Sequence, residues 1–256
     1  MKSFLLNGKN ALVTGASKGI GAEIARIFAQ AGADVCIIGR NMEGLLQTKI
    51  QVENFNNECY IIEEDISTVE GARSAGNKAL KISPRWDILV NNAGIAFVSP
   101  ILEISEEEWT DTFAINLQAT LVLSQIIVPE MIKIKKGKIV NISSLGAFFG
   151  TPGFGSYAAS KAALNQLTRT MAVEWGPYNI QVNAVCPTII LTDKGKQIWN
   201  HPDMKTKKLE KENRIPLHRF GTPTDVANAC LFFASSAADF VSGVSLPLDG
   251  GMSISP

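Results

Sequence analysis

Short apolar runs alternate with stretches of helical periodicity along this chain. Seven runs stand out, at residues 11–13, 35–38, 60–62, 88–90, 138–142, 180–185 and 244–248. Most are rich in Val, Ile and Leu with little polar interruption, the pattern of strands covered on both faces. Between them, apolar residues fall three and four apart. Ile20, Ile24, Ile27, Phe28 and Ala31 share one face of a helix after the first run. Strands alternating with helices predict an α/β fold, a doubly wound parallel sheet with helices on both faces.

In such a sheet, ligands gather at the carboxyl ends of the strands. The polar residues best suited to chemistry sit there. Thr14-Gly15-Ala16-Ser17-Lys18-Gly19-Ile20-Gly21 follows the first run and opens the first helix. Glycines on a strand-to-helix turn let backbone approach a pyrophosphate, and the helix N-terminus favours the anion. The spacing is G-x-x-x-G-x-G rather than G-x-G-x-x-G. Arg40 follows the second run, Asp65 the third, Asn91 the fourth, Ser143 and Ser144 the fifth, and Pro187 the sixth.

One further stretch carries reactive groups. Ser156-Tyr157-Ala158-Ala159-Ser160-Lys161 puts a phenol and an ammonium four residues apart, one turn apart on a helical face. A free tyrosine titrates near pH ~10. Bringing it to about 7 takes roughly 4 kcal/mol, at about 1.4 per pH unit. A neighbouring ammonium in a desolvated cleft, helped by a cofactor cation, acts in that direction. The product would be a proton donor matched to neutral pH.

Bulk composition narrows the classes. The chain has 256 residues, 46% of them apolar, enough for one large core. With no linker or repeat, residues 1–256 read as a single domain. Lys plus Arg number 24 and Asp plus Glu 24, so the charge balance gives no support for nucleic-acid binding. The first eight residues lack the long apolar region and small-residue cleavage site of a signal peptide. No run approaches the ~20 apolar residues of a membrane span; the longest are broken by Ser124, Gln125 or Pro129. The expectation is a cytoplasmic protein without membrane contact. Cys36, Cys59, Cys186 and Cys230 form no C-x-x-C and read as buried free thiols. His201 and His218, in polar or Pro-flanked segments, read as surface residues, with no metal site.

The combined motifs resemble the short-chain dehydrogenase/reductase family over nearly the whole chain. The carriers are residues 14–21, Asn91-Asn92-Ala93-Gly94, Asn116, Ser144, Tyr157, Lys161, residues 182–187, and Pro247-Leu248-Asp249-Gly250-Gly251. The resemblance implies a Rossmann-type fold and a catalytic set of Asn116, Ser144, Tyr157 and Lys161. It implies cofactor contacts at Gly15, Ser17, Lys18, Gly19, Ile20, Gly21, Arg40, Asp65 and Ile66. It extends them to Asn92, Ala93, Gly94, Tyr157, Lys161, Pro187, Ile190 and Thr192. Asn116 would distort its helix and order a water chain to Lys161. Helices 112–134 and 156–175 would pair between subunits in a homotetramer. Thr188, where the commoner residue is glycine, looks like the branch of carbonyl and dicarbonyl/L-xylulose reductases.

The second run ends Ile37-Ile38-Gly39-Arg40, with no acid at its tip to read a ribose 2′-hydroxyl. Arginine suits a 2′-phosphate, and Lys18 adds a second cation, so the expected cofactor is NADP(H). Hydride would pass to a small-molecule carbonyl, with Tyr157 donating the proton and Ser144 a hydrogen bond to the same oxygen. Ser144, Leu145, Thr151, Phe154, Thr188 and Trp199 are the expected pocket wall. Its apolar members favour a small ketone or α-dicarbonyl over a polyol. Alternatives are a sugar or polyol dehydrogenase, a 3-oxoacyl-(acyl carrier protein) reductase docking its carrier on basic segment 205–214, and an NADP(H)-binding sensor or scaffold.

Overall fold

In the computed structural model, which describes residues 2–255, seven parallel strands form one sheet. They are β1 (Asn10–Thr14), β2 (Asp34–Gly39), β3 (Cys59–Glu63), β4 (Ile88–Asn91), β5 (Gly137–Ile142), β6 (Ile180–Pro187) and β7 (Ser245–Leu248). Their order is β3-β2-β1-β4-β5-β6-β7. The chain moves outward from β1 to β3, then returns to the other side of β1 as β4. The β1 and β4 tips therefore diverge into a crevice at the topological switch point.

Residues of one strand alternate between two cores. Ala11 and Val13 of β1 face one core with α1 (Gly19–Gln30), α2 (Met42–Glu53) and α9 (Pro223–Ala234). Leu12 faces the other, with α3 (Val69–Ile82), α5 (Ala119–Lys133) and α6 (Gly155–Trp175). Small residues bring α3 against α5. A Cβ on Gly76 would stand 2.8 Å from Ile126.

The helix expected at residues 112–134 starts earlier in the structure. The helix α4 (Glu106–Phe113), a π-helical segment at Ala114–Gln118, and α5 run on as a single helix, Glu106–Lys133. By length and composition alone it passes for a membrane span, although no uninterrupted apolar run announces it. Half of its apolar window is buried in the protein, where α5 packs on α3 and the sheet. Burial against protein accounts for that half of its apolarity.

Candidate active site

The crevice is built from the strand tips inward. Thr14 closes β1 by accepting from the backbone N–H groups of Asn92 (2.9 Å) and Ala93 (3.0 Å) through its hydroxyl. The Asn92 amide donates to Thr14 O (2.8 Å) and Gly15 O (3.2 Å). This lacing leaves no room for a Cβ at Gly15 or Gly21. A Cβ on Gly21 would lie 2.5 Å from Gly15 O and from Asn92 Nδ2. Gly15 has φ +64°, and its Cβ would meet Ala93 Cα at 2.9 Å. Glycine at both positions lets β1, the turn and the segment after β4 pack this closely.

A cavity of about 430 Å³ follows this turn. Its lining includes Gly15, Ser17, Lys18, Gly19, Ile20 and Gly21 from the turn, and Arg40, Asp65 and Ile66 from the β2 and β3 tips. Asn92, Ala93, Gly94 and Thr192 complete it. Arg40 Nη1 donates to Asp65 Oδ2 at 3.4 Å, with both side chains more than half exposed. Such a pair contributes about 0–1 kcal/mol, so a stronger anion can displace it. Asp65 also accepts from Ser67 N–H, the main reason its carboxyl lies below the usual range. The cap of α3 itself is Thr68.

A second cavity, about 540 Å³, adjoins the first through shared Ile20, Asn92, Gly94, Ile95 and Thr192. Ser144, Tyr157, Lys161, Phe154, Pro187, Thr188 and Ile190 line it. Ser144 caps a short 3-10 turn (Leu145–Ala147), accepting from Gly146 N–H at 3.1 Å. Lys161 is buried and donates to Ile142 O at 2.8 Å, with Nζ 5.8 Å from the centroid of the Tyr157 ring. The Phe154 ring stands edge-on to Tyr157, centroids 6.2 Å apart.

Asn116 sits in the π-helical segment, where the distorted helix turns its side chain out of the ladder. Its Oδ1 accepts from Ile95 N–H (2.8 Å). Its Nδ2 donates to Ile95 O (2.9 Å) and to Ser160 Oγ (3.0 Å). Gly94 lies between Asn116 and the lysine. A Cβ there would be 3.1 Å from Asn116 Oδ1 and 3.3 Å from Lys161 Nζ.

Burial pushes the Tyr157 phenol above its ordinary value, with the Ser144 hydroxyl pulling the other way. The Lys161 ammonium donates to the Ile142 carbonyl, and desolvation lowers it to about 8. In the protein by itself the phenol is an acid, not a phenolate. Cys186, beside the site, is buried and pushed up to about 11, mainly by desolvation, which leaves it an unreactive thiol at neutral pH.

The predicted pocket wall is partly redrawn. Ser144, Phe154 and Thr188 line the cavity; Leu145, Thr151 and Trp199 do not. The 3-10 turn carries Leu145 into the core, Thr151 faces solvent, and Trp199 packs edge-on against Phe220 at 5.0 Å. Ile198, one residue earlier, faces the cavity instead, as do Ala96, Ile142 and Ser143. Ala96 was missed, although its place two residues after Gly94 was a signal that could have found it. Nothing local signalled Ile198, since a one-residue shift on α7 (Asp193–Trp199) decides which side chain points inward.

A family model described as enoyl-(acyl carrier protein) reductase matches residues 15–253. The chain is similar to the L-xylulose reductase of Caenorhabditis elegans, 40% identical over 96% of this chain and 96% of that protein. It is also similar to the NAD-dependent glycerol dehydrogenase of Listeria innocua, 37% identical over 99% and 97%. Among solved structures, a 7α-hydroxysteroid dehydrogenase complexed with NADH and 7-oxo glycochenodeoxycholic acid superposes with a TM-score of 0.90. Its identity is 36%, with 98% of this chain and 96% of that one covered.

Proposed function

The chain belongs to the short-chain dehydrogenase/reductase family, an oxidoreductase of CH–OH groups, and we propose that it is an NADP(H)-dependent member reducing small ketones or α-dicarbonyls. One observation carries this reading: Ser144, Tyr157 and Lys161 line a cavity that shares wall residues with the glycine-lined one, whose lining includes Arg40. The continuous lining from the glycine turn to Asn92, Ala93 and Gly94 supports a bound dinucleotide along that path. The nicotinamide, when bound, supplies the hydride.

The protein's own part is proton delivery and placement. Tyr157 gives its phenolic proton to the carbonyl oxygen as that oxygen becomes an alkoxide. Ser144 donates a hydrogen bond to the same oxygen. Lys161 holds the nicotinamide ribose and brings a cation near the phenol. Asn116 fixes the Ile95 loop and, through Ser160, the turn carrying Tyr157. Beyond Ser144 and Tyr157 the wall offers Ala96, Phe154 and Ile198, which favour an apolar carbonyl. The second reading, a polyol or sugar, is favoured by the relatives' names and by the Thr188 hydroxyl. That hydroxyl already donates to Met252 Sδ at 3.4 Å, which weakens its claim.

The test is NADPH oxidation with diacetyl, ketoses, and acyl thioesters on an acyl carrier protein. Diacetyl is expected to have the largest kcat/KM. A ketose preferred tenfold or more overturns the substrate reading. The relative's name includes NAD, so the cofactor preference rests on Arg40 and Lys18 of this chain. Arg40→Ala is expected to lower kcat/KM for NADPH about 10- to 100-fold, the worth of a charge-assisted hydrogen bond. NADH use should stay within about twofold by the same reasoning. Equal losses with both cofactors refute the preference.

Exposed Leu121 of α5 and Val173 of α6 support pairing of these helices in a homotetramer. Buried free thiols support a reducing, cytoplasmic setting.

A further inference from the structure

We propose that Glu108 is a positioning residue whose carboxylate clamps together the two walls of the reaction cavity. The proposal rests on Tyr157 as proton donor.

Ser105-Glu106-Glu107-Glu108 has the pattern in which a capping serine and a glutamate three residues on satisfy each other. Only half of that exchange is directed to the helix start. Glu108 N–H donates to Ser105 Oγ at 3.0 Å. The Glu108 carboxylate instead accepts from Ser99 Oγ (2.7 Å) on one oxygen and Ser156 Oγ (3.3 Å) on the other. At the start of α9, Thr222 and Asp225 make both halves of the exchange. The difference lies in where the acid points.

Both serines hold cavity walls. Ser99 ends the loop that begins with Ala96; its backbone N–H donates to Gly153 O at 2.9 Å, and Ser99 pairs with Phe154 as a parallel bridge. Ser156 is buried and directly precedes Tyr157. Ala96, Phe154 and Tyr157 all line the cavity. One carboxylate thus ties the loop after β4 to the start of α6. An ionised carboxylate only accepts, so both hydroxyls are committed as donors and their rotamers are held. Displacing a reacting group by about 1 Å costs about 10²-fold in rate.

The experiment compares Glu108→Ala, Glu108→Gln and Ser99→Ala with wild type. Readouts are steady-state reduction of diacetyl by NADPH and amide hydrogen exchange at Ser99. Glu108→Ala is expected to lower kcat/KM for diacetyl about 10- to 100-fold, with the KM for NADPH unchanged and faster exchange at Ser99. Glu108→Gln, which can accept from one serine and donate to the other, is expected to restore kcat/KM to within about threefold. Ser99→Ala reads the same clamp if Glu108→Ala fails to fold. Equal loss in Ala and Gln variants, or a lower Tm with an unchanged diacetyl KM and kcat per active site, overturns the proposal. If wild type reduces no carbonyl, the functional reading fails, and unchanged Ser99 exchange in Glu108→Ala then overturns the clamp separately.

Discussion

Replacing Tyr157 by phenylalanine is expected to lower kcat for carbonyl reduction about 10²- to 10⁴-fold, the usual worth of a positioned general acid. The substitution removes one oxygen and leaves the ring packed edge-on against Phe154. The walls of the dinucleotide cavity, from Gly15 to Arg40, are untouched. NADPH should therefore bind with its affinity unchanged, as followed by quenching or shift of its fluorescence. Because burial raises the phenol, the protein by itself keeps that proton at neutral pH, as a donor must. A variant that retains turnover assigns the proton to another group. A variant that loses NADPH affinity in step with activity makes Tyr157 a binding residue.

The second large effect pairs lost activity with gained stability. Lys161→Met is expected to lower kcat/KM by at least about 10²-fold and to raise Tm. The ammonium is buried, held to about 8 by desolvation, and has one described partner, the Ile142 carbonyl. A lysine whose folded value lies below its unfolded value of 10.5 costs stability while charged. That cost is complete below about 8 and disappears as pH rises from 8 towards 10.5. At about 1.4 kcal/mol per pH unit it is about 3 kcal/mol. Loss of the hydrogen bond to Ile142 O offsets about 1 kcal/mol. The net gain is about 2 kcal/mol, or about 4–8 °C in a chain of this size. Thermal melts from pH 7 to 10 check the sign: the variant's advantage should be largest at pH 7 and shrink above 8. An advantage that grows with pH contradicts the assignment.

The alternation of seven apolar runs with helical periods was enough to specify the parallel sheet, because strands covered on both faces must be apolar along their whole length. The ends of those runs located the crevice, since a doubly wound sheet leaves its switch point at the carboxyl tips. The glycines were legible for a similar reason: an absent Cβ is written in the residue itself. The long helix at residues 106–133 was less legible. Only half of its apolar window is buried, and its π-helical irregularity at Asn116 is a backbone event with no period of its own.

Three matters belonged to the tertiary structure alone. Ile198 rather than Trp199 faces the cavity, because a rotation of one residue on a short helix is set by what Trp199 packs on, the Phe220 ring. The Lys161 ammonium finds its acceptor in Ile142 O, at the end of β5, which no spacing on its own helix announces. Glu108 reaches Ser99 and Ser156 across three segments that no sequence spacing joins. Identity and period along the chain determine strands, helices and turns; direction and distance between side chains far apart in sequence come into being only when the layers pack.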